Sequence, residues 1–285
     1  MNPELLKIRR TAIETFLRRF SGRKILFYPT PGNAGDSLIT LGTYQAFSRA
    51  GVFVENIDLD DHVDGEIVFL GGGANLVPLY NDMRQAIERF EGRAAELIIL
   101  PHTIRDQRVL IEKIESPCTI FCRDRPSFEE LAGAGIRAAV HMADDMAFHL
   151  DSDRLLEEGQ HQPVYRETLM DVLLGQGLTF ADFANRPEMN FFRTDPEAAF
   201  IPADPGVDLS EALAFGVSPN AARLTAWCFL SILTACRMVN TDRLHVGIGS
   251  ALTGTRCRLF DNSYGKNRAV FEYSLIGCET ISFAS

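Results

Sequence analysis

The sequence predicts an α/β fold made of two Rossmann-like units whose parallel sheets face a common cleft. Three observations carry this expectation. Short β-rich runs alternate with helical patterns; several of these runs are apolar throughout, as strands are when helices cover both faces of a sheet; and the alternation resumes after a polar, irregular stretch. With 285 residues, 46 % of them hydrophobic, the chain has enough material for a large core.

The chain starts with an amphipathic helical pattern, AIETFLRRF, and shows neither the apolar stretch nor the small-residue cleavage site of a secretory signal, so a cytoplasmic protein is expected. The first unit, residues 1–150, then reads as strands KILFYP (24–29), EIVFLG (66–71), ELIILP (96–101) and CTIFCR (118–123). Helical patterns fall around 37–50, 79–91, 106–115 and 126–133. Residues 151–187 are polar and irregular with one weak helical run, and are read as a connector. The second unit, residues 188–285, holds MNFFRT (189–194), a long helix near 220–236, RMVNT (237–241), a helix from about 244, CRLFD (257–261) and a last helix through KNRAVFEYSLI. Its most apolar segment, Leu224 to Cys236, is too short to span a bilayer and reads as a buried core helix, so no transmembrane segment is expected.

A net charge of −10 and a pI near 5.1 exclude a sequence-wide positive field for nucleic acid or an anionic membrane. Any anionic ligand must be held by a few placed residues. The six cysteines are scattered without paired CxxC spacing and read as reduced, buried thiols.

In open α/β sheets, ligands bind outside the carboxyl ends of the strands, and the segments there are unusual. YPTPGNAGDSLI puts glycines between a strand and a helix, so that Asn33, Gly35 and Asp36 either form a capped tight turn or hold an anion or a sugar hydroxyl at a helix N-terminus. It is neither GxGxxG nor a GxxxxGK[ST] phosphate loop, which leaves dinucleotide and ATP binding without support. FLGGGANL places Gly72, Gly73 and Asn75 after the second strand, as a flexible turn or as a site of close ligand approach. LPHTI supplies His102, a structural hydrogen-bonding residue or a ligand contact. CRDRPS supplies Arg123, whose guanidinium at the end of an apolar strand should meet an anion unless Asp124 serves as its surface partner. Asp144 and Asp145 in ADDMAF read as helix caps or, with less support from their adjacency, as an acid/base pair.

TDRLHVGIG puts Arg243 and His245 in the opening turn of a helix capped by Thr241 or Asp242, a combination that attracts a multivalent anion and can move a proton near neutral pH. Lys266 in DNSYGKN opens the last helix, facing either the cleft or solvent.

Taken in order, GNAGDSLI, FLGGGANL, LPHTI, CRDRPS, ADDMAF, TDRLHVGIGSALTG and DNSYGKN resemble the polysaccharide pyruvyl transferase family, from residue 32 to residue 267. His102 and Asp144 stand where many relatives have Gln and Pro. The resemblance implies a GT-B-like fold and transfer of a pyruvyl group from phosphoenolpyruvate to two hydroxyls of a sugar, free or lipid-linked, giving a cyclic ketal and phosphate. It implies donor binding by Arg123, Arg243 and His245, with the acceptor on the side of the first unit. Two arginines and a helix N-terminus suffice to neutralise such a donor, so neither metal nor cofactor is expected. On chemical grounds His245 is the candidate general acid and Asp36, or else Asp145, the general base. A lipid-linked acceptor would bring the protein to the inner face of the membrane. Two rival readings are a nucleotide-sugar glycosyltransferase using Asp208 and Glu211, and a non-catalytic glycan-binding relative.

Overall fold

A computed structural model describes residues 1–132 and 135–284. The first seven strands form one sheet: β1 (Lys24–Tyr28), β2 (Phe53–Asn56), β3 (Ile67–Leu70), β4 (Gly73–Leu76), β5 (Glu96–Ile104), β6 (Cys118–Cys122) and β7 (Ala139–Met142). All pairings are parallel, in the order β2-β1-β3-β5-β6-β7, and β4 lies against the far half of β5. A second parallel sheet has the order β11-β10-β9-β8, with β8 (Met189–Phe191), β9 (Met238–Thr241), β10 (Arg256–Leu259) and β11 (Ile281–Phe283). The expected α/β class with parallel sheets is therefore observed.

The apolar runs become the interior strands because β3 and β6 are buried at every position and need nonpolar side chains on both faces. The helices form close to the expected places, at Ala34–Ala50, Asp82–Phe90, Arg108–Glu112, Arg125–Leu131, Pro219–Ala235 and Leu244–Thr253. Residue 133 of the expected helix 126–133 lies outside the described residues. The last helix is shorter than its pattern, running as Lys266–Val270 before a π-type turn over Phe271–Leu275. Residues 151–187 form three helices, Ser152–Gly159, Pro163–Gly175 and Phe180–Asn185. Their Leu155, Leu169, Leu173 and Phe183 belong to the core under the second sheet.

The helix Ala34–Ala50 sits between the two sheets. Ile39, Ala46 and Phe47 pack in the core beneath β1, whereas Ala34, Leu38 and Leu41 pack with Trp227, Phe229 and Leu230 of the helix Pro219–Ala235. Phe191, Phe192 and Trp227 are buried in the core. All six cysteines are free and buried, and burial pushes the thiol of Cys257 up to about 12. Among the described residues no helix is long and apolar enough to cross a membrane.

Candidate active site

The strand ends of both sheets open onto one cleft of about 350 Å³. Asn33, Asp36, Asn75, Arg123, Arg243, His245 and Lys266 line it; Gly35, Gly72, Gly73, His102 and Asp145 are not among its lining residues.

The loop after β1 is organised by a capping box. Asn33 Oδ1 accepts from the backbone N–H of Gly35 at 2.9 Å, and Asp36 Oδ2 accepts from the backbone N–H of Asn33 at 2.9 Å. Glycine is required here by what surrounds it. A Cβ on Gly32 would fall 2.0 Å from Asp36 Oδ2, and one on Gly35 would fall 2.4 Å from His245 Nδ1. Gly35 thus leaves the slot that the imidazole occupies. Burial raises the Asp36 carboxyl to about 6, although the charges of His245, Arg123 and Lys266 pull in the other direction. We expect Gly35→Ala to displace the imidazole by about 1 Å and to lower kcat on the order of a hundredfold with little change in melting temperature. Steady-state kinetics beside a thermal melt checks this.

The three glycines are a structural crossing, not a free turn. Added Cβ atoms on Gly71 and Gly72 would meet the Thr30 nitrogen at 2.6 Å and the Pro101 carbonyl oxygen at 2.7 Å, and Gly73 has φ +142°. They carry the chain from β3 to β4 along one edge of β5, opposite the edge that pairs with β6. His102 is fully buried, and Nε2 accepts from the backbone N–H of Asn75 at 3.0 Å. Burial and the neighbouring Arg123 push its pKa down to about 3, so the ring is neutral and pins β4 to β5.

Arg123 follows β6 and is 1 % exposed. Nε donates to Thr103 Oγ1 at 3.0 Å and Nη1 to Asp145 Oδ2 at 2.5 Å, while Nη2 has no partner among the described residues. Its carboxylate partner is Asp145; Asp124, the alternative surface partner, is fully buried and engaged elsewhere. Asp124 Oδ2 accepts from Thr103 Oγ1 at 2.7 Å, and Oδ1 accepts from Arg105 Nη1 at 3.0 Å and from the backbone N–H of Ser127 at 2.9 Å. Asp145 Oδ1 accepts from the backbone N–H of Ala147 at 2.8 Å, capping the turn Met146–His149. Burial would raise the Asp145 carboxyl, but Arg123 and His245 hold it well below the usual carboxylate range. Asp144 points away, accepting from Ser274 Oγ at 2.7 Å.

His245 Nε2 lies 3.5 Å from Asp145 Oδ2 and has no nearer partner. Nδ1 is the ring nitrogen on the Gly35 side. Arg123, Asp145 and His245 therefore form a line of neighbouring side chains that starts at the end of β6 and reaches the opening turn of the helix after β9.

Arg243 departs from expectation. It is itself the N-cap of the helix Leu244–Thr253, because the side chains of Thr241 and Asp242 are used elsewhere. Thr241 Oγ1 donates to the Phe191 carbonyl at 2.6 Å, and Asp242 Oδ1 accepts from the backbone N–H of Arg193 at 2.8 Å. The guanidinium is 4 % exposed and its nitrogens are all taken. Nε and Nη2 meet Asp208 at 3.0 and 2.5 Å, Nη2 also meets Glu211 at 3.2 Å, and Nη1 meets Asp195 at 2.9 Å. Asp208 and Glu211 are thus the partners of Arg243.

Lys266 is buried, not solvated, with Nζ donating to Glu197 Oε2 at 2.6 Å. Burial pushes its pKa down to about 8 against the pull of Glu197. Glu197 also accepts from Arg193 at 2.6 Å and, across the cleft, from the Tyr80 hydroxyl at 2.7 Å. Arg193, Asp195 and Glu197 escaped the sequence reading. Arg193 was legible on the rule that picks out Arg123 and Arg243, since it too stands just past a strand, whereas Glu197 lies in an irregular segment with no pattern to mark it.

The model of the family described as polysaccharide pyruvyl transferase matches residues 33–264. The chain belongs to the polysaccharide pyruvyl transferase family. The matched span runs from the Asn33 cap to Tyr264, so it includes the cleft residues Asn33, Asp36, Asn75, Arg123, Arg243 and His245 but not Gly32 or Lys266. A structure of a functionally uncharacterised protein from Klebsiella pneumoniae subsp. pneumoniae NTUH-K2044 resembles this pyruvyl transferase family member over 100 % of both chains, with a TM-score of 0.74 and 28 % identity. No curated protein matches the sequence.

Proposed function

We propose that this protein transfers the pyruvyl group of phosphoenolpyruvate onto two hydroxyls of a sugar in a polysaccharide or its precursor, forming a cyclic ketal and releasing phosphate. The observation that carries the reading is that Arg123, His245 and Lys266, supplied by the strand ends of both sheets, line one cleft together with Asp36. Three cationic groups suit a small ligand bearing a carboxylate and a phosphate, and a carboxyl raised to about 6 suits proton transfer near neutral pH.

The chemistry balances with these groups. Asp36 takes the proton of the first hydroxyl as its oxygen bonds to the central carbon of the donor. The imidazolium of His245 protonates the methylene carbon, which becomes the methyl group. The carbon–oxygen bond to phosphate then breaks, with Arg123 and Lys266 stabilising the departing charge. The second hydroxyl closes the ketal, and its proton leaves with phosphate. Asp145, kept ionised by Arg123, holds the proton on Nε2 of the neutral imidazole and leaves Nδ1 to exchange protons. We place this activity in the cytoplasm, at the inner membrane face where the acceptor is lipid-linked.

The test is phosphate release from phosphoenolpyruvate by the purified protein, with and without a panel of pyranosides. Release that requires an acceptor supports the reading, and a folded protein that gives none with any acceptor and does not bind the donor overturns it. The pH profile adds a check. Asp36 is a base only above its pKa of about 6, and Lys266 is a cation only below its pKa of about 8, so kcat/KM should rise through the first value and fall through the second. The donor phosphate itself titrates near about 6. Asp36→Asn separates the two, because it should lower the rate at every pH while leaving only the donor's own ionisation on the acid limb.

A further inference from the structure

The Arg243 guanidinium faces the cleft with no nitrogen free, and its three carboxylates are not held alike. Asp195 is fixed by a bidentate pair with Arg193 at 2.7 and 2.9 Å. Asp208 is 8 % exposed, grips two nitrogens of Arg243 and accepts from the backbone N–H of Thr194 at 3.2 Å. Glu211 is different. Its side chain is 53 % exposed, it stands on the four-residue helix Leu209–Ala212, and it touches Arg243 through one contact of 3.2 Å.

The second contact of Glu211 shows where its carboxylate sits. Oε1 also accepts from Asn33 Nδ2 at 3.4 Å, and Asn33 is the N-cap of the 17-residue helix Ala34–Ala50. One carboxylate oxygen thus lies between a guanidinium and a side-chain amide at a helix N-terminus, inside the cleft, a set of donors suited to an anion.

We propose that Glu211 is an affinity-determining carboxylate: it occupies on Arg243 the place of the ligand anion and must be displaced before the donor can use that guanidinium. This rests on the donor reading given above. Displacement is undemanding for the chain, because an exposed single-contact ion pair contributes little and the freed side chain returns to water. Asp195 and Asp208 stay in place and keep the Arg243 side chain extended into the cleft. Glu211 also disfavours weakly charged occupants, because only a ligand that binds the fork better than a glutamate side chain takes its place.

The test measures binding of phosphoenolpyruvate, with inorganic phosphate as a second probe, by calorimetry on the wild type, Glu211→Gln, Glu211→Ala and Glu167→Gln. Glu167 is exposed on the helix Pro163–Gly175 and is not among the cleft-lining residues, so it controls for the change in net charge. Both Glu211 variants should tighten phosphoenolpyruvate by about fivefold, the equivalent of one exposed ion pair, and Glu167→Gln should leave it unchanged. Phosphate should gain in the same direction. Equal affinities in all four proteins would overturn the competition while leaving the donor reading intact. Weaker binding in the Glu211 variants would also overturn it and make Glu211 an organiser of the site. Absence of phosphoenolpyruvate binding in every folded variant would remove the donor reading and the competition together.

Discussion

Replacing His245 by alanine should lower acceptor-dependent phosphate release about a thousandfold, within the usual range for removing a general acid. The loss should fall on kcat, because the imidazole is assigned to proton delivery and Arg123 and Lys266 remain to bind the donor. The fold should survive. The side chain lines the cleft and its closest ion pair, to Asp145, is 3.5 Å long, so its removal opens a space onto the cleft and leaves the two hydrophobic cores intact. Removing the ring also leaves space beside Gly35 that opens toward the cleft, so added imidazole should restore part of the rate. Single-turnover kinetics with and without imidazole, beside a thermal melt, decides the matter. Unchanged kcat in a folded His245→Ala protein would move the proton chemistry elsewhere in the cleft.

Arg123→Ala should be damaging in a different way. Asp145 is fully buried, and Arg123 is its closest cation, so truncation leaves a buried carboxylate without its main partner. Breaking one partner from a buried pair typically costs about 3–5 kcal/mol, which corresponds to a fall in melting temperature on the order of 10 °C. The sign of the pH dependence follows from the lowered Asp145 pKa. That carboxylate stabilises the wild type above the ordinary aspartate pKa of about 4, and the contribution fades as pH falls below it. The gap between wild type and variant should therefore be widest near neutrality and narrow in acid. Adding Asp145→Asn to Arg123→Ala should recover much of the stability without recovering activity. Differential scanning calorimetry across pH, paired with the phosphate assay, distinguishes a stranded charge from a simple cavity, which would show no such narrowing.

The sequence was most legible where one physical demand dominates. β3, β5 and β6 must be apolar on both faces, and they stand out as unbroken runs. β2, β7 and β11 were missed because they lie at sheet edges, where exposed positions admit polar residues and blur the pattern. β4 was missed because GANL has the composition of a turn, and its pairing with β5 is set by tertiary contact. The candidate site followed the same division. Arg123, Asp36 and His245 could be read because each sits at a strand-to-helix junction. The saturation of Arg243 could not, since Asp208 and Glu211 lie 35 and 32 residues away in sequence and meet it only through the tertiary fold.

The helix Ala34–Ala50 serves two cores at once, and its first turn carries Asp36 and the Gly35 slot for His245. The cleft is consequently hinged on an element that neither sheet can release. Prising the halves apart would strip apolar cover from one flank of this helix, whereas the contacts across the cleft, Tyr80 to Glu197 and Asn33 to Glu211, are single side-chain hydrogen bonds. Asp36 and the Gly35 slot for His245 thus ride on the same element that holds the two cores together.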